Sequence, residues 1–238
     1  MIKEAIILAG GLGTRLRSVI TDLPKCMAPV AGKPFIYYVI EFLKNNGVTH
    51  FIFSVGYLHE VIEKYLQENY THINYTLSIE DEPLGTGGAI KLACNKALEK
   101  DVLICNGDTL YKIDVLAFSK FHQEKKSTCT LSLKPMQNFD RYGVVEINEE
   151  GNIQLFKEKQ FYQSGLINGG LYALDVEEFL NEKFPERFSF EKEYLEQKVL
   201  AISLEKSGMF GMIQDAYFID IGIPEDYEKA QQDLAEKL

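Results

Sequence analysis

The sequence predicts an α/β fold: three layers built on a mostly parallel, doubly wound sheet. Three observations predict it. Short apolar runs alternate with amphipathic stretches through the first half of the chain. The first run, Ala5-Ile6-Ile7-Leu8-Ala9, is apolar on both faces. Polar, glycine-containing loops (residues 10–15 and 106–108) stand at the ends of two such runs. Strand–helix alternation of this kind makes parallel sheets covered by helices on both sides, and strands buried on both faces lose the polar/apolar alternation.

Taken in order, residues 5–9 form the first strand. After Pro34, the residues Ile36, Val39, Ile40 and Leu43 fall at helical spacing, and Gly47 stands where a C-terminal cap belongs. Residues 50–55 read as a strand, 60–67 as a helix, 73–79 as a strand, 89–98 as a helix and 102–105 as a strand ending at Asn106-Gly107-Asp108. The second half is less regular. Strands are expected over 128–133, 144–147, 153–156 and 168–174, with a turn at Glu149-Glu150-Gly151-Asn152. Helices are expected over 176–182, 192–200 and from Pro224 onward. No repeat, low-complexity segment or linker interrupts the chain, so residues 1–238 read as one domain whose second half (111–238) caps the first (1–110).

The 238 residues are 46% hydrophobic and 25% charged, ordinary values for a globular chain able to bury a sizeable core. The net charge of -10 argues against a nucleic-acid partner, which needs clustered Lys and Arg. It does not forbid a small anion held by a few cations and backbone N–H groups. Cys26, Cys94, Cys105 and Cys129 form no CxxC pair and read as buried free thiols, and the four histidines show no metal-ligand spacing. No secretion signal and no apolar stretch long enough to cross a bilayer is found, so no membrane partner and a cytoplasmic location are expected.

The strongest motif is Leu8-Ala9-Gly10-Gly11-Leu12-Gly13-Thr14-Arg15-Leu16, followed by Leu23-Pro24-Lys25 and Gly32-Lys33-Pro34. Gly10, Gly11 and Gly13 directly after a buried strand let backbone N–H groups close on an anion. Arg15 adds a fork that matches phosphate geometry, and Lys25 a mobile point charge. A tight turn with two solvated cations would be the plain account of a lone glycine cluster. The coincidence of glycines, an arginine and a Pro-Lys pair at one strand end favours phosphate binding. A dinucleotide fingerprint is excluded because Leu16 stands where the third glycine belongs, and a P-loop because no Gly-Lys-Ser/Thr follows.

The segment resembles the signature of the sugar nucleotidyltransferases. The likeness continues through Glu82-Pro83-Leu84-Gly85-Thr86-Gly87-Gly88-Ala89, Asn106-Gly107-Asp108, Phe156-Lys157-Glu158-Lys159, Asn168-Gly169-Gly170 and the run from Phe218 to Tyr227. Within that family the chain looks most like the guanylyltransferases of D-glycero-D-manno-heptose 1-phosphate in bacterial surface-sugar pathways. The alternatives are a mannose-1-phosphate guanylyltransferase, a uridylyl- or cytidylyltransferase of another sugar phosphate, or a non-catalytic nucleotide-binding regulatory protein, against which the presence of Arg15, Lys25, Asp108 and Asp220 argues. Positions 26 and 17–18 depart from the commonest pattern.

The resemblance implies a Rossmann-like fold with a nucleotide-binding and a sugar-binding half. Its substrates would be a nucleoside triphosphate, GTP favoured, and a sugar 1-phosphate, with Mg²⁺ as cofactor and a homo-oligomer as an assembly its relatives form. Carried over by position, Arg15 and Lys25 would be catalytic. Leu8, Gly10, Gly11, Gly13, Thr14, Glu80, Gly85, Thr86, Gly87, Gly88 and Asp108 would meet the nucleotide. Asn106, Gly107, Gly143, Glu158, Lys159, Asn168 and Gly169 would meet the sugar phosphate, and Asp108 with Asp220 would hold the metal.

The residues themselves weigh unequally. Asp220 follows Tyr217-Phe218-Ile219 and interrupts a strand that should be buried, where an unpartnered polar group costs about 2–7 kcal/mol. Asp108, read alone, is as readily a turn aspartate. Lys157-Glu158-Lys159 reads as a solvated charge run, and Asn168 as a turn residue; the family likeness alone assigns them to the site.

Overall fold

The computed structural model describes residues 1–11, 23–201 and 208–235. In chain order the elements are β1 (Glu4–Leu8), a 3₁₀ turn (Lys25–Met27), β2 (Pro29–Val30), β3 (Lys33–Pro34), α1 (Phe35–Asn45), β4 (His50–Val55), α2 (His59–Asn69), β5 (Asn74–Ile79), α3 (Gly85–Cys94), β6 (Asp101–Asn106), β7 (Thr109–Tyr111) and α4 (Val115–Lys125). There follow β8 (Cys129–Phe139), β9 (Val144–Ile147), β10 (Ile153–Lys157), β11 (Tyr162–Asp175), α5 (Val176–Asn181), a π-helical turn (Phe190–Glu196), α6 (Gln197–Ala201), β12 (Met209–Ile213), β13 (Phe218–Asp220) and α7 (Pro224–Ala235).

Seven strands form one sheet in the order β12-β8-β11-β6-β1-β4-β5. β6, β1, β4 and β5 are mutually parallel, β12 is parallel to β8, and β11 runs against both its neighbours. The sheet is therefore mostly parallel, as expected, with β11 the antiparallel exception. Strands from both halves of the chain share it.

Alternation along the central strands sends side chains to two separate cores. Ala5, Ile7, Phe51 and Phe53 pack with Phe35, Ile36, Val39, Ile40 and Leu43 of α1 and Ile62 and Leu66 of α2. Ile6, Ile52 and Ile104 pack on the other face with Ile90 and Ala93 of α3, Phe179 of α5 and Tyr194 of the π-helical turn. Both faces are covered, which is why these strands read as continuous apolar runs. All four cysteines are buried and free. Burial pushes the thiols of Cys26, Cys94 and Cys105 up to about 12, so they are inert apolar side chains. Among the described residues no helix is long and apolar enough to cross a membrane.

Three local expectations are corrected. The helix expected over 89–98 begins four residues earlier, at Gly85, and ends at Cys94. The helix expected over 192–200 begins as the π-helical turn Phe190–Glu196 and becomes α-helical only at Gln197. The strand expected over 168–174 starts at Tyr162, because β11 continues along β8 through the pairs Tyr162–Phe139 and Ser164–Gln137. The sequence reading also passed over α4. Its buried face carries Ser119 and His122 beside Val115 and Phe118, which blurs the apolar stripe. Both polar groups are satisfied, Ser119 by the Val115 carbonyl and His122 by Thr130.

At the end of the sheet where β1 and β4 begin, Glu4 is fully buried. Its Oε1 lies 2.5 Å from His50 Nδ1, and its Oε2 accepts the backbone N–H groups of Leu98 and Glu99, each at 2.9 Å. The carboxylate thereby ties the segment after α3 to the base of the sheet. Removing one member of a buried pair leaves its partners unsatisfied, typically at about 3–5 kcal/mol. Glu4→Ala is expected to lower the thermal midpoint by roughly 10 °C, measured by circular dichroism. A change of under about 2 °C would show that these bonds contribute little.

Candidate active site

Parallel α/β sheets hold ligands beyond the carboxyl ends of their strands, and there the described residues enclose a cavity of about 1060 Å³. Its walls come from the segments after β1, β4, β5 and β6, together with Lys25, Glu191 and Asp220 from elsewhere in the chain.

β1 ends at Leu8, and Gly10 and Gly11 follow at the cavity wall. A Cβ on Gly10 would stand 3.0 Å from Glu80 Oε1 and 3.2 Å from the Gly56 nitrogen, so a side chain there would press on both. Gly107 donates its N–H to the Leu8 carbonyl at 2.8 Å, locking the ends of β1 and β6 together. Gly13, Thr14 and Arg15 lie outside the described residues.

Asp108 follows β6, and Asp220 closes β13. The pairing of β13 with β7 sets Asp220 opposite Thr109, and Ile221 donates its N–H to the Asp108 carbonyl at 3.1 Å. This register brings two carboxylates that are distant in sequence onto one ammonium. Lys25 Nζ, on the 3₁₀ turn, lies 2.5 Å from Asp108 Oδ2 and 3.4 Å from Asp220 Oδ1. Asp220 Oδ1 also accepts the Gly222 N–H at 2.8 Å, and Thr109 Oγ1 donates to Asp108 Oδ1 at 3.2 Å. A side chain at 222 would crowd the cluster, since its Cβ would stand 3.0 Å from Asp220 Oδ1 and 3.1 Å from Lys25 Nζ.

The electrostatics follow from that crowding. Burial and the neighbouring Asp108 charge hold the Asp220 carboxyl above its ordinary range, although Lys25 and the Gly222 N–H pull it back. Burial alone would lower the Lys25 ammonium, but the two carboxylates outweigh it and the net shift is upward. Two carboxylates this close favour a cation between them. Among the described residues no cluster of three or more His, Cys, Asp or Glu is poised to hold a metal.

On another wall, Glu80 follows β5, half-buried. Its Oε2 accepts the Leu84 N–H at 3.0 Å, and burial raises its carboxyl, with that N–H offsetting part of the rise. Gly85 and Thr86 open α3 and line the cavity. Gly85 has φ +72°, and a Cβ there would stand 2.5 Å from the Phe188 carbonyl oxygen. That carbonyl accepts the Gly87 N–H at 2.9 Å, so Phe188 caps the start of the helix.

The residues singled out from the sequence therefore divide. Leu8, Gly10, Gly11, Lys25, Glu80, Gly85, Thr86, Asn106, Asp108 and Asp220 line the cavity. Gly87 and Gly88 are buried against Phe188 and Glu186, and Gly107 against Leu8 and Cys26. Gly143 packs on the Lys157 carbonyl, Gly169 on the Tyr111 ring, and Asn168 bonds Tyr172 and the Gly170 N–H. Glu158 and Lys159 are exposed beyond β10. None of these eight lines the cavity.

Sequence reasoning missed two contributions. The loop Gly56-Tyr57-Leu58 after β4 lines the cavity together with His59, the first residue of α2, and Leu58 is in the left-handed region at φ +56°. A third glycine-containing loop at a strand end was its signal. Glu191, inside the charged run 191–193, had no signal of its own.

Fold and cavity together define an α/β protein with its candidate site beyond the carboxyl ends of parallel strands. The chain belongs to the nucleotidyl transferase family, whose model matches residues 4–237. It is 49% identical to the D-glycero-alpha-D-manno-heptose 1-phosphate guanylyltransferase of Aneurinibacillus thermoaerophilus, over 97% of this chain and 98% of that one. Against the protein of the same description from Campylobacter jejuni it is 45% identical, over 94% and 96%. Among solved structures, HddC from Yersinia pseudotuberculosis superposes with a TM-score of 0.86 at 35% identity, covering 98% of this chain and all of that one. The same protein has been solved complexed with GMP-PN.

The close approach of Gly85 to Phe188 is testable. Gly85→Ala combines a left-handed φ with a backbone collision and is expected to cost roughly 2 kcal/mol, read from the urea midpoint. An unchanged midpoint would mean that the cap tolerates a side chain.

Proposed function

We propose that this protein transfers GMP from GTP to D-glycero-α-D-manno-heptose 1-phosphate, producing GDP-heptose and pyrophosphate. The observation that carries the reading is the convergence of Lys25, Asp108 and Asp220 beside Gly10 and Gly11 at the strand ends. The near-full-length likeness to heptose 1-phosphate guanylyltransferases supports the choice of substrates.

The reaction needs no protein nucleophile. A phosphate oxygen of the sugar 1-phosphate forms a bond to the α-phosphorus of GTP. The bond from that phosphorus to the α–β bridging oxygen breaks, and its electron pair leaves on pyrophosphate. The enzyme's task is to align the two phosphates and balance their charge. The backbone at Gly10 and Gly11 comes close to the triphosphate, since neither position carries a side chain. Lys25, kept charged by its two carboxylate neighbours, stabilises charge that builds on the phosphates. Arg15, carried over from the family likeness, is assigned to the departing pyrophosphate.

Asp108 and Asp220 would hold Mg²⁺. Their donor set fits, because Mg²⁺ takes one or two carboxylates and completes its shell with water and phosphate oxygens. When bound it would neutralise phosphate charge that Lys25 alone cannot balance. The half-buried Glu80 is suited to guanine: a carboxylate accepts the N1–H and N2–H₂ donors that this base presents on one edge.

A panel of GTP, UTP, CTP and dTTP against heptose, mannose and glucose 1-phosphates, scored by pyrophosphate release, tests the reading. Highest kcat/KM for GTP with heptose 1-phosphate is expected; a different winning pair would refute it. Asp108→Asn and Asp220→Asn are each expected to lower kcat/KM by about 100-fold or more with the thermal midpoint retained. Near-normal turnover in either variant would refute its metal role.

Glu80→Gln should cut the preference for GTP over UTP by about tenfold, since an amide presents an N–H₂ where the base also donates. An unchanged preference would place base recognition elsewhere.

A further inference from the structure

Glu191 opens onto the cavity beside Gly85 and Thr86, supplied by the second half of the chain. Its Oε2 accepts the Thr86 hydroxyl at 2.7 Å and the Ser189 hydroxyl at 3.1 Å. The Thr86 oxygen in turn accepts the Phe190 N–H at 2.9 Å. These bonds brace the carboxylate against the first turn of α3. Among the described residues, nothing donates to its Oε1.

A braced anion with one unspent oxygen attracts hydrogen-bond donors and repels phosphate. In the reaction proposed above, on which this inference rests, the phosphates go to Lys25 and the Gly10–Gly11 backbone, and the N–H donors of guanine go to Glu80. The donors left on either substrate are sugar hydroxyls, on the two rings and on the heptose side chain. A hydroxyl donating to a carboxylate makes a stronger bond than one between neutral groups. We propose that Glu191 Oε1 accepts a hydrogen bond from a sugar hydroxyl of a bound substrate, which makes Glu191 a specificity-determining residue. The hydroxyl belongs either to the ribose of the nucleotide or to the sugar phosphate, and kinetics separate the two.

The full-length enzyme would be assayed as wild type, Glu191→Ala and Glu191→Gln. One series compares GTP with 2′-deoxy-GTP and 3′-deoxy-GTP at saturating sugar phosphate. The other compares the sugar 1-phosphate with its 2-, 3-, 4-, 6- and 7-deoxy analogues at saturating GTP. Wild type is expected to favour the hydroxyl-bearing substrate in one comparison by roughly ten- to a hundredfold in kcat/KM. Glu191→Ala should bring that ratio close to one, and Glu191→Gln, which keeps an uncharged acceptor, should leave it intermediate. Loss of the ratio in the nucleotide series identifies the ribose; loss in the other series identifies the sugar phosphate.

A purely bracing role would slow all substrates alike and leave every ratio at its wild-type value. That result, or a wild type indifferent to every hydroxyl, overturns the proposal. Should Glu191→Ala fail to fold, Glu191→Gln can still accept from Thr86 and carries the comparison. Wild-type turnover in the same assays tests the parent reaction separately. If another substrate pair wins the panel, the ratios are measured with that pair.

Discussion

The structure turns on a three-residue strand pairing. β13 lies antiparallel to β7, and because Asp220 pairs with Thr109, its carboxylate arrives beside that of Asp108 with Lys25 between them. A one-residue slip would send the Asp220 side chain to the opposite face of its strand. Ile219 and Ile221 hold the register, since both are buried in the core on either side of the aspartate. Hydrophobic burial thus specifies where two mutually repelling charges must sit, and the lysine offsets the repulsion. Burial first, and that repulsion second, hold the Asp220 carboxyl above its ordinary range.

Much of the first half could be read from its residues. Its central strands are buried on both faces, so apolar runs marked them directly, and α1 carried a clean stripe from Ile36 to Leu43. Legibility fell where tertiary contact overrides local signal. Gly85, Gly87 and Gly88 look like a loop because glycine is a poor helix former. They nonetheless open α3, and they are glycines because Phe188 and Glu186 occupy the space that side chains would need. α4 hid its face behind a buried serine and histidine whose partners lie elsewhere in the chain.

The site was legible where chemistry and strand ends coincide. Gly10, Lys25, Asp108 and Asp220 could be singled out because glycines, cations and carboxylates interrupt apolar runs there. Glu158, Lys159, Asn168 and Gly169 came from family likeness, and in this structure they stand away from the cavity: Glu158 and Lys159 in an exposed charge run, Asn168 and Gly169 within β11, so Asn168 is a strand residue and not the turn residue expected. Glu191 could not be found from sequence, because its place depends on how the segment after α5 folds back over α3.

That fold-back also bears on how the polypeptide is made. The Phe188 carbonyl secures the opening turn of α3, and Phe188 emerges from a ribosome about a hundred residues after that turn. Until it does, the glycine-rich turn has neither its cap nor the aromatic ring that fills the gap its missing side chains leave. Asp220 emerges later still. A nascent chain can therefore lay down its central parallel strands while lacking a finished pocket, and competence for chemistry waits until Phe188 and Asp220 have both emerged.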